Sequence, residues 1–128
     1  SNAQNATSKT NELYLNWRDR YNGKGDAFRH ALWNAKNVIG LGFSLAERLA
    51  TAHEDKPTSY PYGDKEKQMD LFNNKEGRRR AYFLSDGFPS FESSILDAIN
   101  RGDLRYLNNL DPINNRATNS SVLTPTDQ

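Results

Sequence analysis

The spacing of apolar residues constrains the fold of this chain most strongly. Over most of the length, apolar side chains recur every three or four residues, which is the period of an amphipathic helix, and no segment alternates with the two-residue period of a strand. The clearest stripe contains Phe28, Leu32 and Ala35 and continues to Val38 and Ile39. The sequence therefore predicts an all-α fold, a compact bundle of about five helices with an extended polar C-terminal tail.

The length of 128 residues is enough for one hydrophobic core and too short for two. Residues 1–3 resemble the remnant of an expression tag, and we set them aside. We expect a single helical domain over residues 8–110. An extended tail is predicted over residues 111–128, where Asn, Ser, Thr and Pro dominate.

Start and stop signals divide the first part of the chain into two helices. The stripe of Leu13, Trp17 and Tyr21 predicts a first helix, which an Asn-Gly pair then closes. Asp26 can cap a second helix, and the glycines that begin at Gly40 end it.

Two more helices are predicted on either side of a loop. Ser44, with Glu47 three residues later, has the pattern of a capping box for a third helix. Two prolines exclude a regular helix from residues 55–63, so we expect an ordered loop there. A fourth helix is predicted over residues 64–84, and Gly77 within it indicates a point where another group comes close to the backbone.

A fifth helix completes the predicted bundle. Ser90 can cap it, and Gly102 closes it. A further turn over residues 104–110 is expected to pack on this helix. Ile113 and the pair at 122–123 are the apolar residues that could attach the tail to the domain.

Composition excludes several classes of protein. The 17 basic and 16 acidic side chains leave a net charge of +1, so no field of the whole molecule favours nucleic acid or an anionic membrane. Cysteine is absent, which excludes disulfides, thiolate metal sites and cysteine nucleophiles. No apolar run approaches the roughly 20 residues that a bilayer span requires. We therefore expect no membrane span.

A first cluster of polar residues shares one face of the second helix. Asp26, His30 and Asn34 follow the spacing i, i+4, i+8, and Arg29 lies beside them. These positions interrupt an apolar run, which suggests a buried polar site. The structural alternative is simple, because Asp26 can cap the helix, His30 can pair with it and Asn34 can face solvent.

A second cluster, His53 and Glu54, lies at the last turn of the third helix. Without another histidine four residues on, it lacks the zincin signature. The structural alternative is a histidine that interacts with the helix dipole beside a solvated glutamate.

A third cluster lies on the fourth helix, where Asp70, Asn73, Asn74 and Arg78 follow helical spacing. Asn is a mediocre helix former, so two in succession need a reason. Either both side chains make tertiary hydrogen bonds to other helices, or one of them orients a substrate or a water molecule. The sequence leaves both alternatives open.

Three segments in this order carry a resemblance: GDAFRHALWNA, AERLATAHED and KQMDLFNNKEGRR. Together they resemble a bacterial domain family of unknown function with the pattern DAFRHAxWN, a downstream HE, and MDLxNNxxGR. The resemblance spans about half the chain, from Gly25 to Arg79. It implies a secreted or cell-surface-associated bacterial protein, because members occur in secreted, surface-associated and toxin-like modular proteins. The matching positions are Asp26, Arg29, His30, Trp33, Asn34, His53, Glu54, Asp70, Asn73, Asn74, Gly77 and Arg78.

The leading hypothesis is a hydrolase-like effector or toxin domain, with a phosphodiester as the substrate expected by analogy. Imidazole exchanges protons near neutral pH, carboxylates can orient it or take the opposite role, and amides or a guanidinium can stabilise negative charge. The predicted catalytic residues are His30, His53, Glu54, Asp70 and Asn74. The predicted substrate-binding residues are Asp26, Arg29, Asn34, Asn73 and Arg78.

Cofactor and partner stay open at this stage. The site could work without a cofactor or with a divalent metal such as zinc or manganese, whose ligands would then be His30, His53, Glu54 and Asp70. A toxin would have an immunity protein as its partner, and a nucleic acid partner receives no support from the net charge.

The alternative hypothesis is a non-catalytic helical binding or interaction module whose polar cluster is a structural hydrogen-bond network. Convergence of the side chains on an open pocket favours the enzyme, and mutual satisfaction without an open face favours the module. We expect helices two, three and four to bring the motifs together and Phe28 and Trp33 to be mostly buried. If the set is catalytic, His53→Ala and Asn74→Ala should fold like the wild type.

Overall fold

A computed structural model describes residues 1–82, 88 and 90–128. Within these residues the chain forms five α-helices and two short β-strands. They are α1 (Asn2–Leu13), α2 (Lys24–Leu41), α3 (Phe43–Glu54), α4 (Gly63–Ala81), α5 (Phe91–Arg101), β1 (Arg105–Leu107) and β2 (Leu123–Pro125). The predicted all-α architecture is confirmed, with one small two-stranded sheet added.

Helix α2 lies at the centre and packs against the other four helices. This position explains its apolar stripe, since Phe28, Leu32 and Ala35 are completely buried. The predicted burial of Phe28 is thereby confirmed. Trp33 is only partly buried, and it packs against the edge of the core.

Helices α2 and α4 come close together where Gly77 of α4 faces Ala31 of α2. A Cβ atom added to Gly77 would collide with the backbone of Ala31, including its carbonyl oxygen. The prediction that another group comes close to the backbone at Gly77 is confirmed, and this contact sets the distance between α2 and α4.

The first helix differs from its prediction. Helix α1 begins at Asn2, where Ser1 and Gln4 form a capping box, and it ends at Leu13. Trp17 lies in the following turns, 46% exposed, with the Arg18 guanidinium 4.7 Å from the centre of its ring. The four-residue spacing misled the prediction because these large side chains lie at the surface, whereas α1 buries small ones.

Two further local predictions were wrong. Ser44 does not cap α3, because the helix already begins at Phe43, directly after Gly42. Gly42 has φ of 81°, a conformation that favours glycine and joins α2 to α3 without a linker. The predicted turn over residues 104–110 contains strand β1, which pairs antiparallel with β2 so that Leu107 lies opposite Leu123.

The tail is held mainly by polar contacts with the start of α4. Arg116 donates to both carboxylate oxygens of Glu66. The Lys65 ammonium donates to three tail carbonyl groups, those of Thr118, Asn119 and Ser121. Ile113 is 86% exposed and anchors nothing, contrary to the prediction.

The end of the bundle follows the prediction more closely. Ser90 caps α5 in a capping box, and Gly102 ends the helix in the left-handed conformation. The predicted end of the fourth helix near Leu84 lies outside the described residues. None of the described helices is long and apolar enough to cross a bilayer.

Candidate functional site

The imidazole of His30 is the centre of the polar site. Its Nδ1 atom lies 3.1 Å from Asp26 Oδ1 and 3.0 Å from the Asp26 carbonyl oxygen, one turn earlier in α2. Its Nε2 atom lies 3.6 Å from Glu54 Oε1 and 3.5 Å from Asp70 Oδ2. The last residue of α3 and the second turn of α4 thus meet α2 at one buried ring. The expectation that α2, α3 and α4 bring the three motifs together is confirmed.

The carboxylate of Asp26 is held in place by several donors. It accepts a hydrogen bond from the Asn22 backbone amide at 2.8 Å and one from Arg29 Nη2 at 2.7 Å. Burial by itself would raise the pKa of Asp26, but the contacts with His30, Arg29 and the Asn22 amide lower it to about 2. Asp26 is therefore a fixed anion behind the imidazole.

The carboxylates of Glu54 and Asp70 lack comparable partners. Glu54 Oε1 and Asp70 Oδ1 are buried and accept no hydrogen bond from the described residues. Burial raises the pKa of Asp70 well above its ordinary value despite the opposing effect of His30, and the negative charges of Asp26 and Glu54 add to the rise. Burial would also raise the pKa of Glu54, but the contact with His30 lowers it. The environment thus lowers the pKa of Glu54 and raises the pKa of Asp70.

The same environment also changes the pKa of His30. Burial favours its neutral form, yet the charges of Asp70 and Asp26 raise the pKa of His30 well above its ordinary value. Excess negative charge surrounds the ring, and a positive charge at Nε2 is favoured.

Two openings border the site, and His53 lines both of them. A groove of about 240 Å³ runs between the end of α3, the loop after it and the start of α4, and we call it the carboxylate groove. The residues that line it include His53, Glu54, Lys56, Thr58, Lys67 and Asp70. A smaller cavity of about 90 Å³, bounded by α1 and α2, contacts Arg29, His30, Trp33 and His53.

The second histidine stands apart from the carboxylates. His53 is exposed, and its ring packs edge-on to Trp33 with 5.6 Å between the ring centres. It lines both openings and shares the smaller one with His30. His53 is placed to contact a molecule in the groove.

A second polar group lies one turn further along α2 and is fully buried. Asn34 Nδ2 donates to the His30 carbonyl oxygen at 2.9 Å and to Asn74 Oδ1 at 2.8 Å. Arg78 Nη1 donates to Asn34 Oδ1 at 2.8 Å. This Asn34–Asn74–Arg78 network joins α2 to α4 directly behind the backbone of His30.

Asn73 faces a different part of the protein from the other predicted site residues. Its side-chain amide donates to the Arg105 carbonyl oxygen at 2.8 Å and accepts from the Arg105 amide at 2.9 Å. Asn73 therefore pairs with β1 as a neighbouring strand would.

Some residues of the site were not predicted from the sequence. Asn22 was missed, although an Asn-Gly pair immediately before a helix that Asp26 opens is a recognisable signal for a turn whose amides face the helix N-terminus. Lys56 and Lys67 line the carboxylate groove, and no sequence pattern distinguishes them from other surface lysines.

Comparison with known protein families shows which family the chain belongs to. Residues 1–101 match the family described as a domain of unknown function, DUF6973. The chain belongs to this family. No curated protein and no solved structure matches it. All the predicted site residues lie within the matched part of this DUF6973 member. The bacterial, secreted and toxin-like context stays a prediction.

Proposed function

We propose that this protein is a hydrolase whose catalytic centre is formed by His30, Glu54 and Asp70, with Asp26 holding the imidazole. One observation carries the proposal: the His30 Nε2 atom lies within 3.6 Å of the carboxylates of Glu54 and Asp70, and both carboxylates line the carboxylate groove. Each carboxylate has a buried oxygen without a hydrogen-bond partner among the described residues, and such an unpaired acceptor costs about 1–3 kcal/mol.

The carboxylates can activate water, since an unpaired carboxylate oxygen is a proton acceptor beside the groove. Water gives one proton to a carboxylate, its oxygen forms a bond to the substrate, one ester bond breaks, and the leaving oxygen takes up the proton. Asp26 keeps the His30 ring in one orientation throughout.

The proposed substrate class is a phosphodiester. Lys56, Lys67 and His53 line the same groove as the two carboxylates. Cationic side chains form charge-assisted hydrogen bonds with phosphate oxygens and compensate the charge that develops on them. A neutral ester would gain less from these cations.

The Asn34–Asn74–Arg78 network supports the site from behind. It is buried, connects α2 to α4, and ends on the His30 carbonyl oxygen. We assign it a positioning role for the backbone of His30. This network is also the observation that favours the alternative function, a non-catalytic binding module.

A test of the proposal is hydrolysis of bis(4-nitrophenyl) phosphate by the purified protein, with and without added Mn²⁺. We expect Asp70→Asn to lower kcat about 100-fold or more, as general-base removal does. Glu12→Gln is the matched control, since Glu12 is a carboxylate on α1 with a 65% exposed side chain, outside the groove. Equal rates for Asp70→Asn and wild type would reject the assignment.

The proposed biological context is a toxin or effector domain, with an immunity protein as its partner. Expression in a bacterial host, directed to the cytoplasm or to the periplasm, should slow growth for wild type and Glu12→Gln. Asp70→Asn should remove the effect. Growth inhibition by both variants alike would indicate a binding module instead.

A further inference from the structure

We infer that His30 Nε2, Glu54 and Asp70 bind one divalent cation of the zinc or manganese class. Asp26 positions the histidine from the other side. The inference deepens the proposed function, because it concerns the same three side chains, and it assigns the hydrolase a metal cofactor.

The distances between the three groups are the first reason. His30 Nε2 lies 3.6 Å from Glu54 Oε1 and 3.5 Å from Asp70 Oδ2. A charge-assisted hydrogen bond between nitrogen and carboxylate oxygen is about 2.7–2.9 Å long, so both separations are too long for one. Two ligands bound tetrahedrally at about 2.0–2.2 Å from a metal lie about 3.3–3.6 Å apart. The two separations from Nε2 match two edges of such a site.

The orientation of the imidazole is the second reason. The Nδ1 atom faces two acceptors of Asp26, its carboxylate at 3.1 Å and its carbonyl oxygen at 3.0 Å, so Nδ1 carries a proton. In the neutral ring the lone pair is then on Nε2, which faces Glu54 and Asp70. A histidine that donates its other N–H to a carboxylate is the usual arrangement for a metal ligand.

The environment of the three groups is the third reason. The His30 side chain is only 7% exposed, and its Nε2 atom is no closer than 3.5 Å to either carboxylate. Glu54 Oε1 and Asp70 Oδ1 are buried and have no hydrogen-bond partner among the described residues. In the described part of the chain no lysine or arginine forms an ion pair with either carboxylate. A cation between the groups would bind Nε2 and an oxygen of each carboxylate and offset their negative charge.

The donor set also selects the ion. One imidazole nitrogen with carboxylate oxygens suits zinc or manganese, whereas calcium and magnesium favour oxygen ligands throughout. The carboxylate groove offers the direction from which a water could complete the coordination. Bound to such a cation, that water loses a proton near neutral pH and becomes a nucleophile.

The test is isothermal titration of the chelator-treated, untagged protein with Zn²⁺ and, separately, with Mn²⁺. We expect one equivalent of at least one ion to bind and to raise the melting temperature. Glu54→Gln and Asp70→Asn should weaken binding about 100-fold or more, and Asp26→Asn about 10–100-fold, as loss of a carboxylate behind a ligand histidine does. Glu12→Gln, on the exposed surface of α1, should bind like the wild type.

Adventitious binding is controlled by His53→Ala, because His53 is the only other histidine in the chain and is exposed. Loss of binding in that variant, with binding retained in Asp70→Asn, would overturn the inference. No binding of either ion to the wild-type protein would overturn it as well, whether or not the variants fold.

Titration without substrate separates this inference from the proposed function. If the protein binds the ion yet hydrolyses no phosphodiester, the metal site is supported and the proposed activity is rejected. If hydrolysis persists in the presence of excess EDTA, the proposed activity is supported and the metal site is rejected.

Discussion

Asn74 is fully buried, whereas His53 is exposed, although the sequence marks both as members of the same polar set. Burial decides what each substitution does to stability. The Asn74 amide accepts from Asn34 inside the α2–α4 interface, so its loss would leave a buried donor unpaired. The expectation that both alanine variants fold like the wild type therefore holds only for His53.

We predict that Asn74→Ala lowers the free energy of unfolding by about 1–3 kcal/mol. His53→Ala should change it by less than about 0.5 kcal/mol, because exposed substitutions usually do. Urea denaturation of the two variants measures both values. Equal stability of both variants would show that the Asn34–Asn74–Arg78 network contributes little.

Gly77 gives a second prediction at the same scale. Gly77→Ala should destabilise the protein by about 1–3 kcal/mol, since its Cβ would collide with the Ala31 backbone and force α2 and α4 apart. Gly40→Ala is the matched control, because a Cβ at Gly40 meets only the Asn2 side chain at 3.8 Å. That variant should be neutral or gain up to about 1 kcal/mol from helix propensity. Thermal denaturation measures the stability of both variants. A Gly77→Ala variant that is more stable than Gly40→Ala would contradict the prediction.

At the scale of elements, α4 makes two kinds of contact with its neighbours. Its Asn74 and Arg78 face α2, while Asn73, the adjacent residue, turns toward β1 and pairs with the Arg105 backbone. Adjacent helical residues point about 100° apart, so two asparagines in succession can serve two neighbours. The pair thus fixes α4 against a helix on one side and a strand on the other.

We predict that Asn73→Ala weakens the attachment of β1 without disturbing the bundle. Two hydrogen bonds are lost, at about 0.5–1.5 kcal/mol each. Hydrogen exchange should accelerate at the Arg105 amide, which donates to Asn73, and stay unchanged at the amides within α2. Uniform acceleration throughout the protein would contradict this local role.

For the whole molecule, the tail supports the carboxylate groove although most of it lies beyond the family match at residues 1–101. The Tyr60 hydroxyl, in the loop that borders the groove, donates to the Ala117 carbonyl oxygen at 2.6 Å. Arg116 lies 3.9 Å over the Tyr60 ring and also binds Glu66. Groove loop, tail and the start of α4 therefore form one unit.

We predict a coupling energy of about 1–3 kcal/mol between Arg116 and Glu66 in a double-mutant cycle, since bonds to charged groups exceed neutral ones. The variants are Arg116→Met, Glu66→Gln and their combination, compared by urea denaturation. Lys9→Met with Glu12→Gln is the control pair, because that ion pair is exposed and 3.6 Å long. Coupling of the control pair as large as the first would refute a special role for the tail contact.

Although α2 begins at Lys24, two residues before the cap expected at Asp26, the sequence by itself determined the helical class, the end of α2 and the limits of α5. These are local properties: the period of apolar residues, the cap at Ser90 and the glycine at Gly102 act within a few residues of themselves. The clustering of polar side chains in apolar runs was also readable, because each cluster shares a helix with residues that must be buried.

Only the tertiary structure decided which polar residues meet. Asp70 and Asn73 share one helix, yet one faces His30 and the other faces Arg105, because the orientation of α4 depends on its contact with Ala31 at Gly77. The first helix, strand β1 and the fixed tail could not be predicted for the same reason. Their stability comes from contacts with residues that are distant in the sequence, and the spacing of neighbouring residues does not indicate those contacts.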